Sequence, residues 1–421
     1  MGTETRRSQL RRFLAALGPG IVAGAADDDP SGIATYSIAG AQFGTSLLWT
    51  ALLTWPLMAA VQMMCARIGM VTGRGLTAAL RRKLPRSVLL AAVFGLLAAN
   101  TINIGADLAG MADAAELFTG VDSHYWVVIF AVLIAWTTIR FRYVTLARTL
   151  KWLAVALFAY IIAAVRLHPD WPAVLRATFV PSVPHGREAW ATVVAILGTT
   201  ISPYLFFWQA SQEVEEEKAR GHWLRAQRLG ATVREIRTRK WDVGLGTFFS
   251  NLVMYFIILT TALTLHRAGL TDIETSRQAA EALRPLAGRF AAGLYTAGLI
   301  GVGLLAIPTL SGSAAYALAE TFGWRHGLDR SFRNARAFYV IVLVATLGGM
   351  VMDFANVPPV RALFWSAVLN GLLAPPLLAG ILAAAMDERL MSGQPSSWTG
   401  RIVVGVTSAL MLTAAIALFV V

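Results

Sequence analysis

Three consecutive carboxylates, Asp27, Asp28 and Asp29, stand in the middle of an otherwise apolar stretch, GPGIVAGAADDDPSGIATYSIAG, running from Gly18 to Gly40. Pro30, Ser31 and Gly32 follow at once, and the apolar pattern resumes at Ile33. If the stretch crosses a bilayer, each charge at its centre costs roughly 2.5–3.5 kcal/mol on insertion scales. Pro30 lacks a backbone donor and Gly32 relaxes the chain, so a helix is expected to break here. Broken backbone at membrane depth is tolerated where it lines a cavity or a site. The chemistry that fits is cation binding, by carboxylate oxygens and by carbonyls freed at the break.

A second interruption lies in GTTISPYLFFWQAS, residues 198–211, where Pro203 follows Thr199, Thr200 and Ser202 and precedes Tyr204. The two broken spans are five apart, so a five-helix unit repeated once arrives with inverted topology. Interrupted segments at matching places in two inverted halves point to a transporter's midplane site. Elsewhere, Asn100, Asn103 and Asp107 share one helical face at i, i+3 and i+7. A carboxylate buried there serves either as an ion relay or as a structural hydrogen-bond partner. Asn251 and Asn370 are single polar residues in apolar runs, suited to interhelical hydrogen bonds. Asn370 is also a candidate for the surroundings of the ion.

These residues need a membrane scaffold, and the composition supplies one. The 421 residues are 56% hydrophobic and 14% charged, with a mean hydropathy of +0.60. Eleven spans are expected, at roughly 13–39, 46–69, 87–113, 124–139, 148–166, 188–212, 242–266, 289–320, 336–354, 359–386 and 400–421. The expected fold is an all-α integral membrane protein, one transporter domain over 1–421. Its inverted repeats cover about 13–166 and 188–386, and 400–421 is an extra helix. The net charge of +12 sits in short basic runs between spans, which fits the positive-inside rule better than nucleic-acid binding. The alternate basic connections (Arg67 to Arg86, Arg140 to Lys151, 218–240 and 325–336) place the N-terminus in the cytoplasm and the C-terminus outside. The N-terminal arginines mimic a signal peptide, but the aspartates fall where cleavage would occur, so a retained first span is expected. The connection from Glu213 to Lys240 reads equally as a surface helix or as a solvated charged linker.

No catalytic set emerges. Cys65 is the single cysteine, and the six histidines lie in loops or at span ends. No nucleotide-binding fingerprint is present, so the chain is not expected to be an enzyme, and gradients would drive transport. An all-oxygen ligand set suits hard cations such as Mg²⁺, Ca²⁺ or Mn²⁺.

In these motifs the chain resembles the Nramp family of divalent-metal transporters, which have the LeuT-type inverted-repeat fold. The family's Asp-Pro-Gly-Asn falls on Asp29, Pro30, Ser31 and Gly32, and its Met-Pro-His on Ser202, Pro203 and Tyr204. DLAG, from Asp107 to Gly110, is similar to the family's Asp-Leu-Ala-Glu. The resemblance implies Asp29 and the Thr199 carbonyl as metal ligands. Asn is replaced by Gly32 and the metal-selective Met by Ser202, while Asp28 is a candidate to compensate. Asp27, Asn100, Asp107 and Tyr204 then occupy positions around the ion or along a relay. Loss of the sulfur ligand resembles the Nramp-related magnesium transporter branch. The implied activity is transport or facilitated diffusion of a hard divalent cation, Mg²⁺ or Mn²⁺, across the plasma membrane with weak or no proton coupling. Two other readings stay open: a cation-coupled symporter of a small organic solute, and a membrane sensor that no longer transports. The implied partners are a divalent metal ion and the lipid bilayer, with no nucleic acid and no cofactor beyond the transported cation.

Overall fold

The computed structural model describes residues 24, 26–140, 155–284, 288, 291–328, 330–352 and 358–420, which are helical and contain no strand. The expected first half of span one, including Gly18 to Gly20, and the start of span five lie outside the described residues. The helices are α1 (Pro30–Phe43), α2 (Trp49–Thr72), α3 (Arg86–Thr119), α4 (Ser123–Arg140) and α5 (Ala159–Arg166). Then come α6 (Arg187–Thr200), α7 (Pro203–Ala219), α8 (Val233–Thr261), α9 (Ala291–Phe322), α10 (Arg336–Met352), α11 (Pro359–Met386) and α12 (Trp398–Val420). Among the described residues, eight stretches are long and apolar enough to cross a membrane, counting α6 and α7 as one; α10 is a shorter apolar helix.

Both expected breaks are present, and proline makes each. Pro30 and Pro203 open α1 and α7 at the first helical position, where the missing N–H costs nothing. A residue before proline is driven out of the helical region. Asp29 (φ −67°, ψ 170°) and Ser202 (φ −78°, ψ 131°) are accordingly extended. By contrast, Pro56, Pro308, Pro375 and Pro376 sit inside continuous helices.

The helices sort into two groups. α1 packs on α8 and α6, α7 packs on α2, and α2 packs on α8. On the other side α3 packs on α4, α9 and α10. α11 lies between them, touching α6, α3 and α1. Glycines set the closest approaches, as expected where lipid supplies no hydrophobic drive between helices. A Cβ on Gly40 would strike Thr261 and Ile258 of α8, and one on Gly198 would strike Ala367 and Gly371 of α11. One on Gly105 would come within 2.8 Å of the Gly349 carbonyl on α10.

The Glu213–Lys240 connection differs from both expectations. α7 runs on to Ala219 and α8 begins at Val233, so its charged ends extend the two transmembrane helices. Arg239 of α8 is buried and pairs with Glu213 (2.7 Å), Glu216 and Asp242. A buried guanidinium needs such partners, and here they fasten α7 to α8. Sequence periodicity missed this because Glu213 and Glu216 lie on α7, while Arg239 and Asp242 lie on α8.

If the α6–α11 contact holds the bundle to α11, Gly198→Val should lower the thermal unfolding midpoint in detergent, by an overpacking penalty of about 1–3 kcal/mol. Gly95→Ala, where a Cβ would meet nothing nearer than 3.7 Å, should leave it unchanged. Fluorescence-detected thermal unfolding of both variants makes the comparison.

Candidate functional site

Asp29 is the N-cap of α1. Its Oδ1 accepts the Gly32 N–H (2.8 Å) and the Ser31 hydroxyl (2.6 Å). Such capping satisfies orphan amides at a helix start, and the positive end of the helix dipole favours the carboxylate there. Its Oδ2 faces two other helices, accepting from Asn103 Nδ2 of α3 (3.2 Å) and, at longer range, from the Tyr204 hydroxyl of α7 (3.4 Å). The same hydroxyl lies closer, at 3.0 Å, to the Ala26 carbonyl, and its one proton serves one of these two oxygens, tying the start of α7 to the chain just before the first break. The Asn103 amide donates equally to Asp107 Oδ2 (3.2 Å), so one side chain clips both carboxylates.

Asp27 and Asp28 turn the other way, toward α8. The Ser250 hydroxyl lies 2.6 Å from Asp27 Oδ2 and 3.1 Å from Asp28 Oδ1. A hydroxyl has one proton and can donate to only one of them. The three aspartates are 0%, 5% and 1% exposed in chain order, and Asp27 Oδ1 and Asp107 Oδ1 have no hydrogen-bond partner. Among the described residues, no Lys, Arg or His pairs with them, and no three His, Cys, Asp or Glu side chains converge on one point. The carboxylates therefore split, with Asp29 facing α3 and α7 and the other two facing α8. Asp28 does not join Asp29 through any shared hydrogen bond.

At the second break, Ser202 Oγ lies 2.6 Å from the Thr199 carbonyl and 2.8 Å from the Gly198 carbonyl. The hydroxyl proton goes to its own chain, and the oxygen lone pairs stay available. Gly32 joins the two breaks: a Cβ there would lie 3.2 Å from Thr199 Oγ1, 3.3 Å from the Tyr36 ring and 3.5 Å from the Asp27 carbonyl. Thr199 Oγ1 and the Tyr36 hydroxyl are buried and face each other. Asp29, Gly32, Thr199 and Tyr204 are thus brought into one buried neighbourhood.

One candidate lies apart from it. Asn100 donates to the Leu310 carbonyl (2.8 Å) and Ser313 Oγ (2.9 Å), stitching α3 to α9 rather than reaching Asp29. Asn370 is buried on α11 beside the Gly198–Gly371 contact, its Oδ1 without a donor. Asn251 is interhelical, accepting from Thr54 of α2 (2.6 Å). The site list read from sequence lacked Asn103, Ser31, Ser250 and Tyr36. The i, i+3, i+7 face signalled Asn103, whereas Ser250 is 223 residues from Asp27 and carried no local signal.

The family model described as Nramp, Natural resistance-associated macrophage protein-like, matches residues 20–421. The divalent metal cation transporter MntH of Yersinia pestis (strain Pestoides F) is 28% identical over 299 residues, covering 69% of each chain. MntH of Deinococcus radiodurans is also 28% identical over 299 residues, covering 67% of this chain and 64% of its own. The fold matches the manganese transporter of Eremococcus coleocola, crystallised with an aromatic bis-isothiourea compound, at a TM-score of 0.75 and 17% identity. That match covers 98% of this chain and 88% of the other. The inward-facing form of Mhp1 matches at a TM-score of 0.53 and 16% identity, over 95% and 90% of the two chains. A broken first helix capped by an aspartate, a second break opposite it and a family match along nearly the whole chain lead to one assignment: the protein belongs to the Nramp family of divalent-metal transporters.

Proposed function

We infer that this protein carries a hard divalent cation, Mg²⁺ or Mn²⁺, across the plasma membrane by alternating access, with Asp29 as its anchoring ligand. The observation that carries the reading is the group of buried carboxylates at the meeting of two half-helices, with no basic side chain among the described residues to neutralise them. Unpaired buried charge is strongly destabilising, and a cation bound between the breaks relieves it. The named activities of the MntH relatives and of the Eremococcus coleocola transporter support a divalent metal as that cation. The Thr199 carbonyl, the Ser202 oxygen and the Gly32 backbone complete an oxygen donor set. Oxygen-only sites favour hard ions, and Mg²⁺ keeps several of its waters. The tight packing of Thr199 and Tyr36 over Gly32 favours a small ion over an organic solute.

The group made of α1, α2, α6, α7 and α8 would rock against α3, α4, α9 and α10, with Asp29 bonded to both through Tyr204 and Asn103. On one face a cavity of about 920 Å³ opens between α1, α6 and α11, lined by Ile38, Thr192 and Arg361 among others. Ile38 is nine residues beyond Asp29, about 13 Å along a helix, so this vestibule stops short of the ion. Basic connections line the opposite face, which we place in the cytoplasm. In this topology the N-terminus is cytoplasmic and the C-terminus is outside. Proton coupling is weak in this reading. Tyr204 has a high unperturbed pKa, Asn100 does not titrate, and Asp107 shares with Asp29 the amide of Asn103, which carries no transferable proton.

Three measurements test this. Asp29→Ala should reduce Mn²⁺ and Mg²⁺ uptake into proteoliposomes by about 100-fold or more, because the buried ligand has no substitute. It should keep a monodisperse elution profile, and wild-type uptake by the variant would remove Asp29 from the site. Ser202→Met should raise preference for Cd²⁺ over Mg²⁺ by about tenfold or more in competition uptake. Should wild type already prefer Cd²⁺, the donor set is wrong. A pH-sensitive dye trapped in the vesicles should report little acidification during metal entry. Acidification that tracks metal entry and vanishes in Asp107→Asn would instead establish coupling through Asp107.

A further inference from the structure

Three connections meet on the face opposite the vestibule and enclose a cavity of about 700 Å³. Arg74, Arg81 and Arg82 enter it from between α2 and α3, Arg225 and Arg228 from between α7 and α8, and Arg330 from beyond α9. The one carboxylate lining it among the described residues is Glu320, which accepts the Ala78 N–H (3.2 Å). Lys218, also in the wall, is paired with Glu215 (2.7 Å). The guanidiniums therefore exceed their counter-charges. Burial and the neighbouring Arg74, Arg82 and Arg228 hold Arg225 below its ordinary value. Arginine stays charged nonetheless, and the guanidiniums of Arg74, Arg82 and Arg228 add their positive charge to its own. Such a cavity repels a divalent cation and attracts an anion with several oxygens, which arginine forks bind in pairs.

The surroundings identify the source of the anion. Trp223 is 67% exposed, Leu224 68% and Val233 84%, all in or next to the α7–α8 connection. Trp324, stacked on Phe322 (4.9 Å between ring centres), is 43% exposed at the end of α9. Exposed tryptophans and aliphatic side chains around basic residues are the pattern of a membrane interface, where aromatic rings lie at headgroup depth. Basic pockets between transmembrane helices on the cytoplasmic side take anionic headgroups.

The geometry points to a binding site for the phosphate headgroup of an acidic phospholipid, held by Arg82, Arg225 and Arg228 and flanked by Trp223 and Trp324. Its walls come from both helix groups, so a bound headgroup bridges the α7–α8 connection to the end of α9. Placing the face in the cytoplasm rests on the topology proposed above; lipid binding in detergent depends neither on that topology nor on metal transport.

The test titrates the purified full-length protein with dioctanoyl phosphatidylglycerol, dioctanoyl phosphatidylcholine or inorganic pyrophosphate. Bound species are followed by native mass spectrometry, alongside thermal unfolding. Phosphatidylglycerol should bind saturably, in preference to phosphatidylcholine, and raise the unfolding midpoint. The Arg82→Gln/Arg225→Gln double variant should keep its midpoint in phosphatidylcholine and bind phosphatidylglycerol at least about tenfold more weakly. If that variant fails to fold, Arg74→Gln, at an exposed position, should show a smaller loss in the same direction. Equal binding of the two lipids, or unchanged phosphatidylglycerol affinity in the folded variants, would overturn the site. Pyrophosphate that binds more tightly than the lipid and displaces it would assign the cavity to a soluble anion and overturn the lipid reading.

Discussion

Burial of carboxylates with no basic partner among the described residues is the constraint on which this structure turns. A carboxylate at Asp29 is held where Pro30 ends one hydrogen-bonded ladder and begins another, so freed amides and a helix dipole act on it from one side. From the other side it meets Asn103 and Tyr204. These are neutral donors, which stabilise an anion without cancelling its charge. An arginine in their place would end the need for a cation. Arg239 shows the alternative in the same molecule: buried among Glu213, Glu216 and Asp242, it makes a closed ion-pair cluster that fastens α7 to α8. The contrast separates charge used as structural glue from charge left open for a ligand.

The hydrogen bonds at Asp29 also connect binding to motion. Asn103 belongs to the helix group containing α9 and α10, and Tyr204 to the group containing α2 and α8. A cation that takes a lone pair of Asp29 Oδ2 competes with both donors at once. Occupancy of the site thereby changes the polar contacts across the boundary between the two groups. A ligand shifts a conformational equilibrium only through such differential contacts. Where α6 of one group meets α11, the contact is between glycines, Gly198 against Gly371. Close backbone packing of this kind has few long side chains to disengage when helices rock.

Much of this was legible in the sequence because membrane helices write their constraints locally. Hydropathy placed α11 at residues 359–386 and α4 within a residue at each end. Proline fixed both breaks, since its effect on the preceding residue is a matter of covalent sterics. The Nramp motif located Asp29 and Thr199. What escaped was directional. Three adjacent aspartates read as one cluster, yet extended backbone at Asp29 sends its side chain toward α3 and α7 while Asp27 and Asp28 face α8. Asn100 shares a face with Asn103, but that face is wide enough to serve two partners, and one turn separates a bond to Ser313 from a bond to Asp29. The buried Arg239 cluster was invisible for the same reason: charge patterns along one helix do not reveal the partner across the groove.

The two proposed ligand positions that differ from the family motif can be understood together. Losing Asn at Gly32 and Met at Ser202 removes two side-chain donors, which by itself would leave an ion under-coordinated. Gly32, however, lets Thr199 and the Tyr36 ring close over α1, where a Cβ would press on both within 3.3 Å. Thr199 Oγ1 and the Tyr36 hydroxyl meet each other there, and a pair of buried hydroxyls that share one hydrogen bond keeps oxygen lone pairs open to a further partner. Under the proposed function that partner is the ion or one of its waters. Hard hydroxyl and carbonyl oxygens then stand where the motif has an amide and a thioether. The exchange costs affinity for soft metals and retains it for an ion that binds through oxygen and gives up its waters slowly.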